Sequence, residues 1–235
     1  MVSVIVLSTL MAALTLKFVV AQMTFPATFD FDNGTPTLVE SQGTPLSQVS
    51  NGVTAYFNST SDPAGFSVQS YGTTFFQLSQ FSGKYLYDNK QSRDTLEIGF
   101  NASVTSINFT FATIEFHGGP GVDPTNITLT AYAGSTNSTP IGLAVARGTW
   151  PSGDTYPQGT LTFNSPNQQF NIVRIELPYQ GASAAVDFLI DRVAVTTTGE
   201  PIPELPNATI LALLMLIMAP AVIAARKLTR NPLME

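Results

Sequence analysis

The chain has no cysteine and a single histidine, His117, in 235 residues. The missing cysteine excludes a disulfide scaffold, thiolate zinc sites, iron–sulfur clusters and thiol catalysis. A lone imidazole excludes any site that needs two. Charge is scarce as well, at 11% of residues, and it leans acidic, with a formal net charge of −6. Nucleic-acid surfaces are built from clustered Lys and Arg, so no nucleic-acid partner is expected. Solvent-exposed helices usually carry Glu and Lys, and the shortage of both points away from a helical protein.

Apolar residues are plentiful but uneven. Residues 1–21 and 208–225 together hold 32 hydrophobic residues in 39 positions. The first run closes on Val19, Val20 and Ala21 before Gln22, an ending that suits signal peptidase, so residues 1–21 are expected to be a signal peptide. Its only basic residue, Lys17, comes late, and a retained anchor is the alternative. The second run would be about 27 Å long as a helix, close to a hydrocarbon core of about 30 Å. Pro220 within it is tolerable in a membrane helix. Arg226, Lys227 and Arg230 follow, which predicts a transmembrane helix over 208–225 and a cytoplasmic tail over 226–235. The membrane is then a partner, and the middle of the chain lies outside the cell. That exported part, residues 22–206, has 15 acidic and six basic residues. Residues 199–207 carry Pro201, Pro203 and Pro206 and read as a stiff linker. Asn-x-Ser/Thr sequons at Asn33, Asn58, Asn101, Asn108, Asn126, Asn137 and Asn207 use seven of the 13 asparagines, and each is a candidate glycosylation site on an exported chain.

Residues 22–198 show short alternating segments between turn signals. Leu96, Ile98 and Phe100 share one face of 95–101; Ile107, Phe109 and Phe111 share one face of 103–116. Val53, Ala55 and Phe57 are in phase, as are Ile127, Leu129 and Ala131 in 126–133. In 170–177, Ile172, Arg174 and Glu176 oppose Val173, Ile175 and Leu177. The run 186–197 is the most apolar and is expected to be a central strand. About ten strands separated by Asn-Gly, Ser-Gly and Asp-Pro turns predict one all-β domain, an antiparallel β-sandwich of jelly-roll-like form with an aromatic core.

Few residues suggest chemistry. His117-Gly118-Gly119 has the look of an oxyanion-hole loop, but there is no Gly-x-Ser-x-Gly elbow and no βα alternation to go with it. Pairs such as Glu97 with Glu115, or Glu176 with Asp187, would suit glycoside hydrolysis only at a separation of about 5–9.5 Å, which spacing in sequence does not fix. Trp150, in a Gly-Thr-Trp-Pro-Ser-Gly run, and Tyr156 nearby are candidates for binding a surface polysaccharide, since aromatic faces stack on sugars. A loop plug beneath the sandwich is the equal alternative for Trp150.

The stretch Pro201-Ile202-Pro203-Glu204-Leu205-Pro206, followed by the apolar run and Arg226-Lys227, resembles the sorting cassette of PEP-CTERM/PEF-CTERM-type exported proteins in their archaeal form. The resemblance implies a sortase-like transpeptidase as partner and Pro203, Glu204, Leu205 and Pro206 as the sorting motif. Leu205 stands where the PEF form has Phe, and the tail runs on to Glu235. The segments Thr28-Phe29-Asp30-Phe31-Asp32, Ile127-Thr128-Leu129-Thr130-Ala131-Tyr132 and Asp187-Phe188-Leu189-Ile190-Asp191 resemble sandwich domains of that class and related jelly-roll carbohydrate-binding modules. Some of those hold a structural calcium between first and last strands. Asp30 and Asp32 on one face of the first strand, with Asp187 and Asp191 on one face of the last, are the residues the resemblance assigns to it; solvent-facing edge carboxylates are the alternative. The expected function is a non-catalytic cell-surface protein with an envelope, adhesion or matrix role and carbohydrate binding, the alternative a cell-surface glycoside-acting enzyme.

Overall fold

A computed structural model describes residues 24–60, 64–70, 76–89, 94–115, 119–120, 122–178 and 185–198. The expected signal peptide, linker, sorting motif, transmembrane helix, tail, Asn207 and His117 all lie outside these residues. The described residues contain eleven strands and no helix. They are β1 (Thr24–Phe29), β2 (Leu46–Ser50), β3 (Val53–Ser59), β4 (Phe66–Ser70), β5 (Lys84–Asp88), β6 (Leu96–Ile114), β7 (Asn126–Tyr132), β8 (Gly142–Arg147), β9 (Gln158–Asn164), β10 (Phe170–Glu176) and β11 (Asp187–Thr198). All pairings between them are antiparallel.

The long strand β6 organises the fold, because its two halves belong to different layers. Its first half, near Leu96–Phe100, sits between β3 and β10. Its second half, near Ser106–Ile114, sits between β11 and β9. Between them the partner strand advances from Ile172 to Phe170 while β6 advances from Gly99 to Val104. The surplus residues on β6 bend it, as bulged strands do where they pass from one sheet to the other. The front layer thus runs β2-β3-β6-β10-β7-β8, and the back layer runs β4-β5-β11-β6-β9, with β1 on the second half of β11. The sequence pattern splits this strand into 95–101 and 103–116, since the inward phase changes at the bend.

Period-2 alternation decides which side chains meet between the layers. Ala55, Phe57, Ile98, Phe100, Val173, Ile175, Leu129 and Ala131 from the front join Phe29, Phe109, Phe111, Phe188 and Val193 from the back in one buried core. Phe29 packs edge-on against Phe57 at 6.3 Å, and Phe163 on β9 against Phe170 on β10 at 5.4 Å. Such pairs add about 0.5–1.5 kcal/mol beyond area burial, and both bridge the two layers. The most apolar run is indeed central: β11 is bonded to β5 and β1 on one side and β6 on the other.

Candidate functional site

The outward phase of the front layer forms a row across five strands. Ser47 lies opposite Tyr56, Tyr56 opposite Gly99, Gly99 opposite Ile172, and Ile172 opposite Tyr132. Opposed residues in a sheet share a face. Tyr56 is 53% exposed. A Cβ added at Gly99 would meet no atom within 4 Å, so the row has an open gap between Tyr56 and Ile172. The next row is polar: Asn58, Glu97, Arg174 and Thr130 lie side by side, with exposed Leu143 at its β8 end. The Arg174 Nε is buried and has no hydrogen-bond partner among the described residues. Glu176 stands two residues beyond Arg174 on the same face. The face therefore offers an exposed ring and a gap beside hydrogen-bonding groups of both kinds.

Tyr56 was legible in the sequence: Val53, Ala55 and Phe57 point inward, which leaves an aromatic at the outward phase of a strand. Aromatics beside turn signals draw attention first, and the structure uses those differently. On the back layer's outward phase Tyr85, Ala112, Ile114 and Leu189 form a second apolar cluster together with the loop residues Leu78 and Phe81. Residues 76–81 and the β8–β9 loop lie over it. Tyr156 belongs to that cover, half-buried, with its ring 5.0 Å from Phe76. Asp154 in the same loop accepts hydrogen bonds from the Ser79 N–H at 2.8 Å and the Ser79 hydroxyl at 2.6 Å. Trp150 is half-buried and donates its indole N–H to the Val122 carbonyl at 3.1 Å. Tyr156 is thus packed into the cover of the back layer, and Trp150 is tied by its indole to the loop before β7.

The four aspartates do not converge. Asp30 and Asp32 lie beyond the end of β1 rather than on a strand, because Asp30 turns the chain. Its carboxylate accepts from the Asp32 N–H, the Asn33 N–H and the Asn33 side-chain amide, an Asx turn, and Phe31 takes a left-handed φ of 62°. Burial alone would raise the Asp30 pKa; the bonds from Asn33 and Asp32 bring it below its ordinary value. Asp32 accepts from the Lys84 N–H at 3.0 Å, and Asp191 from the Ser82 N–H at 3.2 Å, so these two share the turn before β5. Gly83 in that turn has φ 63°, and a Cβ there would fall 1.9 Å from the Asp32 carboxylate. Burial pushes the Asp191 pKa up to about 7 against the opposing Ser82 and Arg192 hydrogen bonds, and Asp32 adds to the rise. Asp187 is four residues away along β11, about 13 Å at the usual rise. With burial it helps push the Tyr87 pKa up to about 12, and it also raises that of Tyr156. This set therefore does not fit one calcium ion, which takes six to eight oxygens. Among the described residues no three His, Asp or Glu side chains form a metal-holding group.

The catalytic pairings separate too. Glu115 is buried and accepts from the Thr125 N–H at 2.7 Å, the Thr125 hydroxyl at 3.0 Å and the Thr113 hydroxyl at 3.0 Å; it ties the end of β6 to the start of β7. Asp187 belongs to the back layer and Glu176 to the front.

No protein-family model and no curated protein matches the chain. Among solved structures it is similar to the K1 cleaved adhesin domain of Lys-gingipain from Porphyromonas gingivalis W83, at 10% identity, 75% of this chain, 99% of that chain and a TM-score of 0.41. It is also similar to the CBM22-1 xylan-binding domain of Paenibacillus barcinonensis Xyn10C, at 11% identity, 77% and 99% coverage and a TM-score of 0.38. A third is TmCBM61 in complex with β-1,4-galactotriose, at 10% identity, 73% and 99% coverage and a TM-score of 0.35. Values of this size assign neither ligand nor activity to this chain.

Proposed function

We propose that the chain is a non-catalytic carbohydrate-binding β-sandwich of jelly-roll-like form, exported and held at the outer side of the cell membrane. The observation that carries this is the gap over Gly99 beside the exposed Tyr56 ring on the front face. A pyranose presents an apolar face that stacks on an aromatic ring and hydroxyls that need nearby donors and acceptors. Glu97, Arg174 and Thr130 stand one row away, and the Arg174 Nε has bonding capacity to spare. Residues 208–225, with Arg226, Lys227 and Arg230 behind them, supply the membrane anchor, and the Pro203-Glu204-Leu205-Pro206 stretch supplies a substrate for a sortase-like transpeptidase. Mass spectrometry of the native protein tests that last step: loss of residues 226–235 supports it, and their retention on the mature chain rejects it.

The binding test is a pull-down of the full-length chain, produced in a host that does not glycosylate sequons, with insoluble cellulose, β-1,4-mannan and β-1,4-xylan. Tyr56→Ala is expected to lose binding about tenfold or more, or about 1.4 kcal/mol, while Trp150→Ala keeps it. Equal binding by Tyr56→Ala and the parent chain rejects the front face. The same face carries Glu97 and Glu176, the two carboxylates a glycoside-acting enzyme would use. Release of reducing sugar from any of the three polysaccharides, lost in Glu97→Gln, would replace the binding assignment with the enzymatic one.

A further inference from the structure

Three of the six sequons in the described residues open on the front face. Asn58 is on the outward phase of β3, Asn101 on that of β6, and Asn126 on that of β7. Two of the three are engaged. Asn101 accepts from the Thr54 N–H at 2.7 Å, and Asn126 accepts from the Arg147 Nε at 3.0 Å. Elsewhere, the Asn33 amide donates to the Asp30 carboxylate. Asn58 is exposed, its side chain makes no hydrogen bond among the described residues, and its sequon threonine, Thr60, is exposed just past the end of β3. Asn108 and Asn137 are exposed in the same way. Asn108 faces out from the back layer, opposite Ala194 and Thr162, and Asn137 sits in the turn between β7 and β8.

We propose that Asn58 is an N-glycosylation site whose glycan covers the Tyr56–Gly99–Ile172 row, so that modification of this one residue closes the sugar-binding face. The inference rests on the reading of that face as a sugar-binding surface. Asn58 lies two residues from Tyr56, about 7 Å along the strand, and two strand spacings, about 10 Å, from Arg174. The first few sugars of an attached chain span that distance. A tethered glycan also competes at a very high effective concentration against any free polysaccharide. The attachment is a glycosyl transfer from a phosphate-linked lipid oligosaccharide. The bond between the anomeric carbon and the carrier phosphate oxygen breaks, its electron pair leaving on that oxygen. A bond forms from the Asn58 Nδ2 to the anomeric carbon, and Nδ2 gives up one proton to the transferase.

The test uses the full-length chain exported from a host that glycosylates sequons. Glycopeptide mass spectrometry is expected to find Asn58 occupied, and the occupied chain to bind cellulose, β-1,4-mannan and β-1,4-xylan weakly. Asn58→Gln, and separately Thr60→Ala, which removes the sequon but leaves Asn58, are each expected to raise binding to at least one of the three about tenfold. Asn137→Gln is expected to leave it unchanged. An unmodified Asn58 overturns the inference. So does equal binding by the occupied chain, Asn58→Gln and Thr60→Ala where Tyr56→Ala still abolishes binding, and in that case the sugar-binding face stands. Absence of binding by every form, unglycosylated variants included, removes the face itself and the inference with it.

Discussion

On the back layer, Leu189 of β11 and Ala112 of β6 point away from the sandwich core and are still fully buried, because residues 76–81 and the β8–β9 loop lie over them. On the front layer, Gly99 and Ile172 hold the matching central positions of an outward face and remain half-exposed. Both sheets bury their inner faces alike. They differ in that one outward apolar row is roofed by the chain's own loops, while the other keeps an exposed ring at Tyr56 and a gap at Gly99, with Tyr132 buried at its far end. An outward apolar residue that the protein covers is structural. One that it leaves bare, beside polar groups, is where the proposed sugar site can be tested.

The sharpest way to break this comparison is to truncate one residue on each outward face. Leu189→Ala is expected to cost about 2–5 kcal/mol, the range for deleting a fully buried leucine. Ile172→Ala is expected to cost under about 1 kcal/mol, since half-exposed positions lose little burial. Urea unfolding of the two variants measures both; equal losses would mean the front face is as well packed as the back.

The roofed face also hides a carboxylate. Asp191 has a folded pKa of about 7 against an ordinary 3.8. The folded state therefore holds its proton more tightly than the unfolded chain between those values, and stability falls as pH rises through that window. The expected loss is on the order of 2–3 kcal/mol between about pH 4 and pH 7. Asp191→Asn keeps an acceptor for the Ser82 N–H and should flatten the profile in thermal melts. Glu97→Gln, on the open face, is expected to leave the profile as it is. A parent chain whose melting midpoint does not fall from pH 4 to pH 7 would show that Asp191 is not the buried acid described.

The roof itself is pinned at Asp154, which accepts both the backbone N–H and the hydroxyl of Ser79 and a bond from the Gln158 amide. Asp154→Ala is expected to cost about 1–2 kcal/mol and to release residues 76–81 to hydrogen exchange before any front-layer strand. Uniform acceleration across both layers would contradict a locally held cover.

Much of this was legible in the residues, and the exceptions have physical causes. The phase of Ile98, Phe109, Leu129 and Val173 marks the inward faces, and the outward set Ile172, Arg174 and Glu176 is where 170–177 places it. Period-2 patterning cannot see a bend, so β6 reads as two strands. It also carries Thr28-Phe29-Asp30-Phe31-Asp32 on as one strand, because Phe31 is still apolar and still buried. The Asp30 side chain ends β1 by bonding forward into its own turn, a competition that alternation does not register. Trp150 and Tyr156 draw attention by residue type and position near turns. What makes Tyr56 different is that it stays 53% exposed, a property set by where segments distant in sequence such as 76–81 pack.

The smallest structural change gives the narrowest test of the open face. A side chain at Gly99 would enter empty space, and glycine inside a strand is itself unfavourable. Gly99→Leu is therefore expected to leave stability within about 1 kcal/mol of the parent, on the favourable side where it moves. It fills the gap between Tyr56 and Ile172, so polysaccharide binding should be lost as fully as in Tyr56→Ala, with Tyr56 itself intact. A variant that folds and binds as the parent does would show that the gap is not where the sugar lies. A variant that loses both stability and binding would show that the gap is closed in solution and that the front face, like the back, is packed.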